Sequence, residues 1–114
     1  MKIEKFEDII SWKKAKTLTI DIYKTFEDSK DFGYKNQIER ASVSIMNNIA
    51  EGFERRSNKE FKQFLFIAKG SCGEVRSMLY LGKDLNKISE EKFHKLYNLS
   101  IEISKLLSGL IKTL

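Results

Sequence analysis

Trp12, Ala15, Leu18, Ile22 and Phe26 recur at steps of three and four, the spacing that gathers apolar side chains on one side of an α-helix. They predict a first helix over about 6–26, closed by the breaker-rich run DSKDFG. Ile38, Ala41, Ile45, Ile49 and Phe53 repeat the pattern and predict a second helix over about 34–55. At Ser57-Asn58-Lys59-Glu60 a serine precedes a glutamate by three positions, so the hydroxyl caps a helix start while the acid reaches back to the serine amide. A third helix follows, to about 86. Its inward positions are Phe61, Phe64, Ala68, Ser71, Cys72, Val75, Met78, Leu79 and Leu85. Ser89, with Glu90 and Glu91 where the helix dipole favours acids, opens a fourth helix. Along it Phe93, Leu96, Ser100, Ile103, Leu107, Leu110 and Leu114 alternate steps of three and four.

Four helices joined by short loops predict an all-α chain, an up-down-up-down antiparallel four-helix bundle in a single domain over residues 1–114. On the fourth helix Tyr97, Leu99, Leu106 and Ile111 widen the apolar stripe. A broad core face and a self-association surface both account for that width.

One polar series breaks the usual rule. Gln37, Arg40, Ser44, Asn48 and Glu51 step by three and four along the second helix, where such spacing normally builds an apolar side. If helices two and three run antiparallel across a joint near Ser57, facing residues have numbers summing to about 114. Arg40 then falls opposite Glu74, and Ser44 opposite Gly70 and Ser71. The expectation is a partly buried Arg40–Glu74 ion pair that fixes register, with small residues packed beside it. A solvated stripe and a catalytic site are the competing readings.

Composition narrows the partners. Twenty-one Lys and Arg against sixteen Asp and Glu give a net charge of +5 over 114 residues, which favours anionic partners without naming one. The single cysteine, Cys72, makes no intramolecular bridge, and its inward position predicts an inert buried thiol. Absence of an apolar run of signal-peptide or membrane-spanning length makes cytoplasmic the expected location, with no membrane partner. Proline is absent, so nothing of that kind interrupts long helices.

The charge has a pattern on the third helix. Lys62, Lys69, Arg76 and Lys83 recur every seven residues, Lys59 lies one turn before the first, and Phe66, Gly73 and Tyr80 fall between them. The expected row is acid-free and lies opposite the core side. Cations so spaced follow a phosphate backbone, and exposed aromatics stack on unpaired bases, which suits RNA or DNA. A row of lysines is also an ordinary solvated face, and Phe66 and Tyr80 equally serve as subunit contacts.

Other chemistry lacks its parts. Glu91 and His94 form one Glu-x-x-His pair, but a di-metal bundle needs two such pairs and further glutamates, and His94 is the only histidine. No metal, cofactor or catalytic residue is expected. Gly70, Gly73 and Gly82 lie inside a helix at a cost of about 1 kcal/mol each relative to alanine. Close helix packing is the expected compensation at Gly70, and subunit approach at Gly73.

The run QIERASVSIMNNIAEG, the joint SNKEF and the run FLFIAKGSCGEV resemble the four-helix-bundle proteins encoded by intervening sequences inside bacterial 23S ribosomal RNA genes. The resemblance extends to FEDIISWKKA and covers nearly the whole chain. It rests on Gln37, Arg40-Ala41, Ser44-Ile45 and Asn48 to Gly52 on helix two, and on Gly70-Ser71 and Glu74 on helix three. It implies a bacterial bundle assembling as a ring-shaped homopentamer. It further implies likeness to the accessory variability protein of diversity-generating retroelements, which engages nucleic acid and a reverse transcriptase through a basic surface. The expected function is therefore non-enzymatic: a homo-oligomer presenting a basic surface to nucleic acid, with a protein partner as a further expectation. The alternative is a structural or protein-interaction scaffold.

Overall fold

A computed structural model describes residues 3–114. Four helices take up most of that length: α1 Ile10–Thr25, α2 Phe32–Phe53, α3 Asn58–Asp84 and α4 Glu90–Lys112. A short 3-10 turn at Phe6–Asp8 precedes them, and no strand occurs among the described residues. The fold is all-α, as the spacing of apolar positions predicts.

Local chemistry explains the boundaries. Ile9 is extended at φ −74° and ψ 121°, which splits the expected first helix into the 3-10 turn and α1. The kink turns Ile9 into the core, where it is buried. Asp31 opens α2 by accepting the Tyr34 amide at 3.2 Å, two residues earlier than the apolar series suggests. Ser57 opens α3 by accepting the Glu60 amide at 3.2 Å. The Glu60 carboxylate returns to the Ser57 hydroxyl at 3.3 Å, where its amide was expected to be the partner. α3 then runs unbroken for 27 residues.

Its end is a Schellman turn. Asn86 takes the left-handed conformation at φ 58°, the Lys87 amide donates to Gly82 at 2.8 Å and the Asn86 amide to Lys83 at 3.1 Å. Because the helix stops at Asp84, Leu85 lies outside the core at 54% exposure, a correction to its expected inward place. Ile88 turns inward in its stead.

Each helix packs against its neighbours in sequence and α1 also packs against α4, while the diagonal pairs, α1 with α3 and α2 with α4, stay more than 8 Å apart between Cα atoms. Contacts show the running directions. Between α1 and α2, Thr19 donates to the Ser42 carbonyl and Phe26 meets Tyr34 edge-on, so one number rises as the other falls. The same inversion holds from Tyr34–Met78 to Ser44–Ser71 between α2 and α3, and from Lys69–Ser108 to Arg76–Ser100 between α3 and α4.

The core lies on the axis between the four helices. Leu18 and Ile22, Ile38, Ile45 and Ile49, Leu65 and Leu79, and Leu96, Ile103 and Leu107 are all fully buried. Each such side chain contributes about 1.5–3 kcal/mol relative to exposure. Tyr97, Leu99 and Ile111 pack against this cluster, so the width of the α4 stripe is largely a broad core face.

Two glycines permit close approach. A Cβ at Gly52 would lie 2.6 Å from the Phe64 Cβ, and one at Gly82 would collide with the Tyr34 hydroxyl. The sequence pointed instead to Gly70, where an added Cβ has nothing within 4 Å. That expectation is corrected: at Gly70 the helix surface is open.

Candidate nucleic-acid interface

Lys62, Lys69, Arg76 and Lys83 share one flank of an uninterrupted helix, while Lys59, in its first turn, is exposed on the side opposite the core; the neighbour on that flank decides what the four do. At about 100° per residue, Lys62, Lys69, Arg76 and Lys83 stand roughly 80° from the middle of the buried side. They therefore line the seam with α4, and all four are half-buried. This corrects the expected position opposite the core. The positions opposite are Gln63, Phe66, Gly70, Ser77 and Leu81, all exposed.

The seam holds the cations by neutral groups. Lys69 Nζ donates to Ser108 Oγ at 2.7 Å, and Arg76 Nη1 to Ser100 Oγ at 3.1 Å. Ser100 Oγ itself donates to the Cys72 carbonyl at 3.3 Å, which fixes it as an acceptor for Arg76. Lys83 Nζ sits 4.7 Å from the centre of the Phe93 ring, with a Glu90 oxygen at 3.7 Å. Lys59 and Lys62 form no ion pair among the described residues. Hydroxyls orient a cation without cancelling its charge, so most of the row keeps its positive field. Sequence reasoning found the cations but not their holders. The signal was there: Ser100, Ser104 and Ser108 recur every four residues on α4.

Aromatic groups border the row at different depths. Phe66 is 57% exposed, beyond the seam. Tyr80 is 48% exposed, with its ring 5.2 Å from Phe93 and 5.5 Å from Tyr97, which leaves one face of a small aromatic cluster open. Cys72 lies beneath, fully buried. Burial pushes its thiol up to about 11 despite the lowering effect of Arg76 and Lys69.

The polar series of α2 faces the opposite flank of α3. Ser44 and Ser71 exchange a hydroxyl hydrogen bond at 2.9 Å, in the register expected. Asn48 Nδ2 donates to the Ser44 carbonyl at 2.8 Å and hydroxyl at 3.0 Å. The ion pair expected above them does not form. Glu74 accepts from Gln37 Nε2, one turn before Arg40 on α2, while Arg40 is exposed and joins no ion pair among the described residues. Glu51 pairs with Arg55, just beyond the end of α2, at 3.1 Å.

A partly buried carboxylate appears where the sequence gave no warning, between α1 and α4. Asp21 is contacted by Lys92 at 3.1 Å and Lys95 at 3.4 Å. Burial alone would raise its pKa, but the two ammonium groups outweigh it and hold the carboxyl below its ordinary value. Two lysines of α4 thus share one carboxylate, whereas Lys69 and Arg76 on α3 are held by hydroxyls. Among the described residues no group of three or more His, Cys, Asp or Glu is gathered as metal ligands, and no helix is long and apolar enough to cross a membrane.

An all-α fold of four helices around one core defines the class. Residues 7–109 match the family described as 23S rRNA-intervening sequence protein, and the chain belongs to that family. Among solved structures it is similar to a protein of unknown function from the S23 ribosomal protein family of Bacteroides thetaiotaomicron VPI-5482. The two are 31% identical with a TM-score of 0.85, over 90% of this chain and 99% of that one. No curated protein matches the chain.

Proposed function

We propose that this chain is a non-enzymatic, single-domain, up-down-up-down antiparallel bundle that self-associates and binds single-stranded or structured nucleic acid along α3. The pentamer implied by its family resemblance is the assembly proposed. The observation that carries the binding reading is the chemistry of the seam: Lys69 and Arg76 are fixed by serine hydroxyls, and Lys62 is left without a carboxylate. A fixed, uncancelled cation loses little freedom when it meets a phosphate. Phe66 and Tyr80 offer exposed rings beside it for base stacking.

The test is binding of an unstructured single-stranded RNA by the parent and by the triple variant Lys62→Glu, Lys69→Glu, Arg76→Glu. The parent is expected to bind in low salt and the triple variant to lose binding at least tenfold, with helicity by circular dichroism retained. Equal binding by the two reduces the row to a solvated helix face.

A protein-contact role is the second reading, favoured by a separate observation. Four of the nine large apolar side chains exposed among the described residues, Phe66, Ile67, Tyr80 and Leu81, lie on α3.

A further inference from the structure

We infer that a small apolar molecule bearing one neutral hydroxyl, of the alcohol class, binds in a cleft between the start of α1 and the end of α4, with Ser11 as its polar partner.

The cleft measures about 220 Å³. Ile3, Ile9, Ile10, Leu106 and Leu110 supply its apolar wall, and Asp8 and Ser11 are its polar residues. An apolar protein cavity of about 150 Å³ takes up benzene, so the space suits a molecule of that size or slightly larger.

Ser11 separates this cleft from an ordinary surface groove. It is 2% exposed, and its hydroxyl has no hydrogen-bond partner among the described residues. The other buried serines and threonine are satisfied: Thr19 donates to the Ala15 carbonyl, Ser42 to Glu39 and Ser100 to Cys72, while Ser71 pairs with Ser44. The cause is local. Along α1, Thr17, Thr19 and Thr25 each donate to the carbonyl four residues back. Four residues before Ser11 stands Glu7, in the 3-10 turn, and the extended Ile9 breaks the helix between them. Ser11 is thereby deprived of the acceptor its neighbours use. A hydroxyl out of water and unpaired is costly, and a ligand that offers it a partner recovers that cost.

Charge sets the head group. Asp8, half-buried on the wall, opposes a carboxylate or phosphate. An ammonium has no acceptor for the Ser11 proton, and it would sit beside the positive end of α1, which Ile9 leaves without a side-chain cap. A neutral hydroxyl both donates and accepts, so it pairs with Ser11 in either sense.

The experiment titrates the full-length protein, carrying carbon-13 in its isoleucine and leucine methyls, with 1-hexanol, hexanoate and hexylamine in parallel at neutral pH, read by nuclear magnetic resonance. 1-Hexanol is expected to shift the methyls of Ile9, Ile10, Leu106 and Leu110 saturably. Hexanoate and hexylamine are expected to bind at least about fivefold more weakly, the factor that one hydrogen bond is worth. Ser11→Ala is expected to weaken 1-hexanol by a similar factor, while the melting temperature of the free variant equals or exceeds the parent's because an unpartnered hydroxyl is gone. Absence of saturable shifts at these methyls, or equal shifts at the exposed Ile67 and Leu81, overturns the site. Hexanoate or hexylamine binding as tightly as 1-hexanol overturns the head group. Unaltered 1-hexanol binding by Ser11→Ala, or a lower melting temperature for that variant alone, removes Ser11 as the waiting partner and the proposal with it.

Discussion

Gly82 carries no side chain where the Tyr34 hydroxyl crosses α3 to donate to the Met78 carbonyl at 2.6 Å. Lys87 closes over the same ring at 5.6 Å while its ammonium meets Asp31 at 2.9 Å. Burial of Tyr34, together with the nearby Asp31 charge, pushes the phenol up from 10.0 to about 12. The folded state therefore favours the neutral phenol. Its contribution is complete below pH 10 and is lost as pH rises through about 12. Urea titrations of the parent and Tyr34→Phe are expected to differ by about 1 kcal/mol at pH 8, the worth of a buried hydrogen bond, and the gap should close between pH 10 and 12. A gap unchanged across that window would contradict the buried phenol. None of this was legible in the sequence, where Tyr34 marks only a helix start. Opposition of Ser44 and Ser71 was legible, because facing numbers sum to a constant in antiparallel helices. Arg40–Glu74 met the same arithmetic and still did not form. Register fixes height along a helix but not which of two neighbouring polar side chains on α2 reaches Glu74, and Gln37 reaches it.

At the scale of elements, the serine caps declared themselves because one hydroxyl and one spacing suffice. Ser57 and Ser89 both accept the amide three residues on. The end of α3 was less readable: nothing in LGKDLNK says which residue turns left-handed until the carbonyls of Gly82 and Lys83 are seen to need partners. Asn86 takes that conformation at φ 58°, which costs a residue with a Cβ about 1–2 kcal/mol and glycine almost nothing. Asn86→Gly is accordingly expected to keep or raise the melting temperature, and Asn86→Ala to lower stability by about 1 kcal/mol. Calorimetry of the two variants checks this, and the reverse order would refute the Schellman end. Leu85 was misplaced for the same reason, since an apolar series says nothing of where the helix that displays it stops.

For the whole molecule, the spacing of apolar positions specified four helices and most of their core, because burial in water leaves helices of this period few other ways to cover their stripes. Which flank of α3 carries the cations depends on where α4 lies, and that is a property of the assembled helices. The sequence therefore supplied the row of Lys62, Lys69, Arg76 and Lys83 but set it opposite the core. Its seating against Ser100 and Ser108 makes it a held row, which differs from a solvated one in a measurable way. Cations that meet phosphate release counterions, so the affinity for single-stranded RNA should fall linearly with salt on logarithmic axes, by about 0.7 in slope for each contact.

The decisive measurement is that slope, taken by fluorescence anisotropy for the parent and for Lys69→Ala with Arg76→Ala. A salt-dependent parent is expected, with the slope of the double variant shallower by about 1.4 for each chain engaged. Identical slopes, or affinity indifferent to salt, would contradict nucleic-acid contact through this seam.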